Sequence, residues 1–102
     1  MNFGVVITDI RQSQLALELM QSALDRAWQV RCFLTDDGVN MVKDDGFIAM
    51  ARNDQAHFSM CEHSAERFCQ GVDLEAISDA VVVGGQYQDA ELVRNCDRVL
   101  VF

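Results

Sequence analysis

The strongest constraint on the fold is a repeated change of hydrophobic period along the chain. Short runs rich in β-branched and aromatic residues alternate with segments in which apolar residues recur every three or four positions. The first pattern favours β-strands and the second favours amphipathic helices. Strands are predicted over residues 3–8, 30–35, 56–61, 80–83 and 98–102. Because strands that alternate with helices form parallel sheets with helices on their faces, we predict a three-layer α/β/α fold with a mainly parallel five-stranded sheet.

The clearest helical pattern spans residues 13–28, where apolar side chains recur four positions apart. Asp9 and Ser13 are the candidate capping residues at its start, because short polar side chains accept hydrogen bonds from the free N–H groups of a first helical turn. Shorter helical segments are predicted over residues 39–42, 47–52, 73–78 and 88–95.

Two segments allow more specific predictions, one about where a helix ends and one about the burial of a strand. A helix over residues 62–70 is predicted to close at Gly71, since glycine commonly follows the last helical residue in a left-handed conformation. The run over residues 80–83 is apolar at every position, which is typical of a strand buried on both faces.

The chain of 102 residues contains no proline, no internal repeat and no linker, which predicts one α/β domain over residues 1–102. Its longest apolar runs are far shorter than the roughly 20 residues that cross a bilayer. The first run, over residues 4–7, is interrupted by Thr8 and Asp9, and no basic residue precedes it, unlike in a secretory signal. We therefore expect a cytoplasmic protein with no membrane partner.

The charge balance bears on the partners. Sixteen acidic residues against eight basic ones give a net charge of −8, and Lys43 is the sole lysine. Binding to a phosphate backbone requires clustered Lys and Arg, which the chain lacks. Nucleic acid is therefore not expected as a partner.

Four cysteines, Cys32, Cys61, Cys69 and Cys96, are spaced without any Cys-x-x-Cys pair. This spacing disfavours zinc sites and thioredoxin-type redox centres. In a cytosolic chain the expectation is free thiols, with no metal and no other cofactor.

Cys61 differs from the other cysteines in its predicted position, where a strand ends and a helix begins. Ligand sites in parallel sheets lie beyond the carboxyl ends of the strands. Free N–H groups at a helix start favour a thiolate, and His63 and Arg67 are close enough in sequence to add positive charge. Cys61 is therefore the candidate catalytic residue, with His63 and Arg67 as candidate stabilisers of its thiolate. The other three cysteines are expected to be structural: Cys32 in the core, Cys69 facing either the core or solvent, and Cys96 packing before the last strand.

The segment from Cys61 to Arg67 also has a cysteine and an arginine separated by five residues. This spacing is similar to that of the phosphate-binding loop of cysteine-dependent phosphatases, in which N–H groups and an arginine surround an oxyanion. Here the segment lacks glycine and contains Glu62 and Glu66, which would repel a dianion. A phosphatase is accordingly the weakest of the functional hypotheses.

Three segments together resemble the DsrE/TusD family of sulfur-relay proteins. They are Cys-Glu-His-Ser-Ala-Glu-Arg at 61–67, Phe-Leu-Thr-Asp-Asp-Gly-Val at 33–39, and the final unit from Ala-Val-Val-Val-Gly-Gly at 80–85 to Cys-Asp-Arg-Val-Leu-Val-Phe at 96–102. The resemblance implies a DsrE-like domain that accepts sulfane sulfur as a persulfide on Cys61 and passes it on, with sulfur donor and acceptor proteins as partners. It also implies a homotrimer or a homohexamer. In many members an Arg-Gly pair follows soon after the cysteine, whereas here Gly71 stands four residues after Arg67.

A second function remains open at this stage. Some relatives in the family lack the cysteine, so the chain is alternatively a non-catalytic oligomeric or regulatory subunit in which Cys61 is structural. In either case we expect self-association, because an apolar chain of this size has surface to cover.

Overall fold

The computed structural model describes residues 1–102 and contains one sheet of five parallel strands. The strands are β1 (Asn2–Ile7), β2 (Gln29–Leu34), β3 (Ala56–Cys61), β4 (Val81–Gly84) and β5 (Arg98–Val101), in the spatial order β4-β3-β2-β1-β5. The α-helices are α1 (Ser13–Asp25), α2 (Asp45–Ala51), α3 (Glu62–Phe68) and α4 (Gln86–Asn95). Short 3-10 helices cover Ile10–Gln12, Asp36–Lys43 and Glu75–Ile77. The predicted three-layer α/β fold is confirmed.

The strand order explains which helices share a face of the sheet. From β1 to β4 the chain moves steadily toward one edge, and it then returns to place β5 beside β1. Crossovers between parallel strands are right-handed, so a reversal of direction moves the connecting helix to the opposite face. The connections that contain α1, α2 and α3 therefore share one face, here called the thick face. α4 alone covers the other, here called the thin face.

The thick face holds most of the core. A cluster of 22 buried residues joins alternate side chains of the strands to α1, α2, α3 and the 3-10 helix Asp36–Lys43. At its centre the rings of Phe47 and Phe58 stack with centroids 5.1 Å apart. Which strand residues belong to this cluster follows from the alternation of side chains along a strand, since residues two apart point to the same face.

The thin face has a much smaller buried cluster, formed by Val6, Phe33, Cys61 and Leu92. Leu92 is the one buried residue of α4. The helix approaches the sheet closely at Gly4, where an added Cβ would lie 2.8 Å from Leu92 Cδ2 and 2.9 Å from Cys96 Sγ. A larger residue at Gly4 would therefore displace α4.

The predicted end of α1 was wrong by three residues, since the helix ends at Asp25. Ala27 adopts a left-handed conformation with φ of 61°. The N–H of Ala27 donates to the carbonyl of Leu24, and the N–H of Trp28 donates to the carbonyl of Ala23. These two bonds form a Schellman motif, in which alanine occupies the position that glycine usually takes. The apolar period continued through Trp28 because its ring packs against the same core.

Two further expectations were wrong. No glycine in the chain has positive φ, so Gly71 is not a left-handed cap, and α3 ends at Phe68, two residues before the predicted end at residue 70. The run over residues 80–83 is not buried on both faces, because β4 lies at an edge of the sheet. Val82 is 54% exposed and Val83 is 39% exposed, because no strand lies beyond β4 and no helix fully covers either side chain.

None of the helices combines the length and the apolar character that crossing a membrane requires.

Candidate functional site

Cys61 is the last residue of β3 and the N-cap residue of α3, as the sequence predicted. Its side chain lies on the thin face, in the cluster with Val6, Phe33 and Leu92, and the residue is 8% exposed. The strand-to-helix junction therefore holds the sulfur at the carboxyl end of the sheet. Gly84 is its register partner on β4, so no side chain stands beside it on that strand.

Four groups act on the Cys61 sulfur. Burial raises the pKa of the Cys61 thiol, but hydrogen bonds from the backbone and the hydroxyl of Ser64, the backbone of His63 and the hydroxyl of Thr35 outweigh it. The net pKa is lower than that of an ordinary thiol. The donors lie at the start of α3 and at the residue that directly follows β2. Together they favour a thiolate.

Ser64 and Thr35 are the residues that sequence reasoning missed. Ser64 stands three positions after Cys61, the spacing at which a helix brings the third residue back to its N-cap. Thr35 directly follows β2, where Leu34 pairs with Met60, so it lies next to Cys61 across the sheet. The Ser64 spacing was visible in the sequence, whereas the Thr35 contact required the strand order.

A backbone contact orients the Ser64 hydroxyl. The N–H of Asp36 donates to Ser64 Oγ at 2.9 Å, and Asp36 adopts a left-handed conformation with φ of 50°. Because the hydroxyl oxygen accepts this bond, its proton is free to point at the sulfur. The loop after β2 thus supports Cys61 both directly, through Thr35, and indirectly, through Asp36.

The acidic residues at the neighbouring strand ends act as caps. Asp9 accepts from the N–H of Arg11 and forms an ion pair with its side chain at 2.7 Å, and Asp37 accepts from the N–H of Ile10 at 2.9 Å. The Arg11 hydrogen bond lowers the pKa of the Asp9 carboxyl to about 2. Asp9 is therefore a capping residue, as expected, although it caps the 3-10 helix Ile10–Gln12 that precedes α1.

The two candidate stabilisers of the thiolate lie in different places. His63 is exposed and contributes its backbone N–H to the sulfur. Arg67 is exposed in the last turn of α3, with its guanidinium carbon 4.9 Å from the centroid of the Phe68 ring. The structure thus places Arg67 beside an aromatic ring at the opposite end of the helix from Cys61.

The phosphatase hypothesis does not fit the geometry of this segment. Residues Glu62–Phe68 form a helix rather than a loop wrapped around an anion. Arg67 lies about 9 Å along the helix axis from Cys61, at 1.5 Å of rise per residue. The N–H groups and the arginine therefore do not converge on one oxyanion.

The remaining cysteines have less reactive surroundings. Burial raises the pKa of the thiols of Cys32, Cys69 and Cys96, so Cys61 is the one cysteine of the four with a lowered pKa. All four are free thiols. Cys32 is buried in the thick-face core, as expected, and Cys69, for which the sequence left core and solvent open, is buried there too. Cys96 is partly exposed beside Gly4. No three His, Cys, Asp or Glu side chains come together as metal ligands.

Comparisons of the chain with family models, with curated proteins and with solved structures found no match.

Proposed function

We propose that this protein is a sulfur carrier that accepts sulfane sulfur on Cys61 and passes it to an acceptor thiol. The observation that carries the proposal is the position of Cys61, which alone among the four cysteines lies where a strand ends and a helix begins, next to donors that lower its thiol pKa. The donors are Thr35, at the end of the adjacent strand β2, and His63 and Ser64, at the start of α3. The resemblance of residues 61–67 to the cysteine segment of DsrE-like relay proteins supports the same assignment.

The chemistry consists of two exchanges. The Cys61 thiolate attacks the outer sulfur of a donor persulfide, so one S–S bond forms as another breaks and the donor leaves as a thiolate. An acceptor thiolate then attacks the outer sulfur on Cys61, and Cys61 leaves as a thiolate. Sulfur moves without an external oxidant or reductant, and neither exchange needs a metal or an organic cofactor.

The donors around the sulfur serve both exchanges. Hydrogen bonds from Ser64 and Thr35 increase the thiolate fraction in the first exchange. They also stabilise Cys61 as the leaving group in the second, because thiols of lower pKa leave faster. Such a cysteine both loads and unloads, which a relay requires and a terminal acceptor does not.

The proposal includes protein partners and a reducing compartment. Donor and acceptor proteins would present their sulfur to the carboxyl end of the sheet, where Cys61 lies. Four free thiols are compatible with the cytoplasm, in which thiols stay reduced. We further propose assembly as a homotrimer or homohexamer, since Tyr87, Val93 and Val101 are large apolar residues more than half exposed.

The test is incubation of the full chain with glutathione persulfide followed by intact-mass analysis. Wild type should gain about 32 Da, the mass of one sulfur atom, and lose it on addition of excess thiol. Cys61→Ser should gain nothing. Cys96→Ser is the matched control, because Cys96 is a partly exposed cysteine with a raised pKa, and this variant should load like wild type. Loading that persists in Cys61→Ser would refute the proposal.

One observation favours the alternative, a non-catalytic oligomeric or regulatory subunit. Cys61 packs against Val6, Phe33 and Leu92, and little of its surface is open. If that packing is its whole role, iodoacetamide should label Cys96 faster than Cys61 in the native protein. Faster labelling of Cys61 at neutral pH would exclude the alternative and agree with the relay.

A further inference from the structure

Arg31 is the one basic side chain without a partner in a chain that has twice as many acidic as basic residues. Each of the other seven has a partner. Arg11, Arg52 and Arg94 form ion pairs, Arg26 and Arg67 lie over aromatic rings, and Lys43 and Arg98 donate to backbone carbonyls. Arg31 lies half-buried in the middle of β2. A partly desolvated guanidinium with five N–H donors and no acceptor is a site that an anion would complete.

The surroundings of Arg31 form a groove on the thin face. The groove has a volume of about 600 Å³ and opens between α4 and the exposed side of β3 and β4. That volume lies within the range of small-molecule sites. Arg31 and His57 are register partners on its floor, and Val82, Tyr87 and Leu92 contribute apolar walls. Cys61 is not among its lining residues, so the groove is separate from the thiol site.

The charges around the groove favour a single negative charge. Asp79 is paired with Arg52 at 3.1 Å, and Glu91 with Arg94 at 3.5 Å, so two of its three acidic lining residues are neutralised. Asp54 is the third, and its side chain is exposed. This balance leaves Arg31 to pair with one carboxylate and disfavours a polyanion such as a nucleotide.

His57 fits the same assignment. Its Nε2 lies 2.9 Å from Gln29 Oε1, so the imidazole is held in place beside Arg31. Burial, and secondarily the Arg31 charge, lower the pKa of His57. A neutral imidazole whose Nε2–H donates to Gln29 has no second N–H, so His57 adds no further positive charge beside Arg31 and leaves the guanidinium as the donor to an anion.

We propose that this groove binds a small monocarboxylate, with the carboxylate on Arg31 and an apolar or aromatic body against Val82 and Tyr87. The fork of the guanidinium matches a carboxylate in a bidentate geometry. The proposal is independent of sulfur transfer, because Arg31, Val82 and Tyr87 are not among the donors to the Cys61 sulfur.

The test is a titration of benzoate into the full chain, followed by amide chemical shifts in NMR spectra. Benzamide is the ligand control, since it has the same ring without the charge, and inorganic phosphate tests whether any anion suffices. We expect saturable shifts at Arg31, Val82 and Tyr87 with benzoate, and binding at least about tenfold weaker for benzamide, as the loss of a charged hydrogen bond predicts.

Two substitutions of Arg31 and one control complete the design. Arg31→Gln should weaken benzoate binding by about tenfold or more, and Arg31→Lys should weaken it less, because lysine keeps the charge and loses the fork. Arg98→Gln removes one positive charge on β5, outside the groove, and should change binding by less than about twofold. The amide spectrum of each variant reports whether it is folded, and Arg31→Lys provides the test if Arg31→Gln is not.

Several results would overturn the proposal. These are the absence of saturable shifts in the groove with benzoate, equal binding of benzamide, and unchanged binding by folded Arg31→Gln or, if that variant is unfolded, by Arg31→Lys. Saturable binding of phosphate without binding of benzoate would overturn the carboxylate assignment.

Discussion

The two faces of the sheet differ in how much they bury and in what they carry. The thick face joins three α-helices to the sheet through 22 buried residues, whereas the thin face has four, and α4 contributes one of them. Cys61 and the Arg31 groove both lie on the thin face. The thick face thus contains most of the buried core, and the thin face holds both candidate sites. A face that is incompletely covered leaves polar groups available to ligands and partners.

The largest loss of stability is expected from a cavity in the core of the thick face. Phe47→Ala removes a fully buried ring that stacks on Phe58. We expect the free energy of unfolding to fall by about 4 kcal/mol, from lost transfer energy and the cavity that remains. Urea denaturation followed by circular dichroism measures it. Leu15→Ala, at a position 49% exposed in α1, is the control and should change stability by about 0.5 kcal/mol or less. A loss under about 1 kcal/mol for Phe47→Ala would contradict the assignment of the main core.

A substitution in the small core of the thin face should destabilise α4 without unfolding the rest of the protein. Leu92→Ala removes the one buried side chain of α4, and we expect a loss of about 2 kcal/mol. Hydrogen exchange should show the α4 amides exchanging by local opening while the amides of β2 stay protected. If the amides of α4 and β2 lose protection equally, α4 unfolds together with the main core, and the two faces do not differ in local stability.

The chemistry on the thin face is tested by Ser64→Ala. Removal of the hydroxyl takes away one donor to the Cys61 sulfur, so the pKa of the thiol should rise. Below that pKa less thiolate is present, and iodoacetamide should label Cys61 several-fold more slowly at neutral pH. The midpoint of the rate against pH should move to higher pH, with the same plateau at alkaline pH. Ser78→Ala is the control, since its hydroxyl donates to the carbonyl of Glu75 in a 3-10 helix. An unchanged profile for Ser64→Ala would show that Ser64 does not tune Cys61.

The smallest expected effect lies at the end of α1, on the thick face. Ala27 has a positive φ, which costs an alanine more than a glycine. Ala27→Gly should therefore raise the free energy of unfolding by about 0.5 kcal/mol, after the greater flexibility of glycine in the unfolded chain is taken into account. Thermal unfolding measures the change. Ala49→Gly, at an exposed position in the middle of α2, is the opposite control and should lower stability by about 1 kcal/mol. A loss of stability in Ala27→Gly would argue against the Schellman motif.

The helices and strands were predictable from the sequence, whereas their end residues and the exposure of their side chains were less predictable. All five strands were found from short runs of β-branched and aromatic residues between segments of helical period. The exposure of Val82 was missed because a local pattern shows which residues are apolar but not whether another element covers them. The end of α1 was missed because Trp28 packs on the same core although it lies beyond the end of the helix.

For the candidate site, the amino-acid order placed Cys61 at a strand-to-helix junction and Ser64 three residues beyond it, since both depend on backbone periods within one segment. The meeting of Thr35 with Cys61 depends instead on β2 lying beside β3. The free guanidinium of Arg31 depends on no carboxylate reaching it across the sheet. Contacts of this kind join residues far apart in the chain. They exist only once strand order and crossover handedness have assigned each helix to a face, so tertiary structure alone decided them.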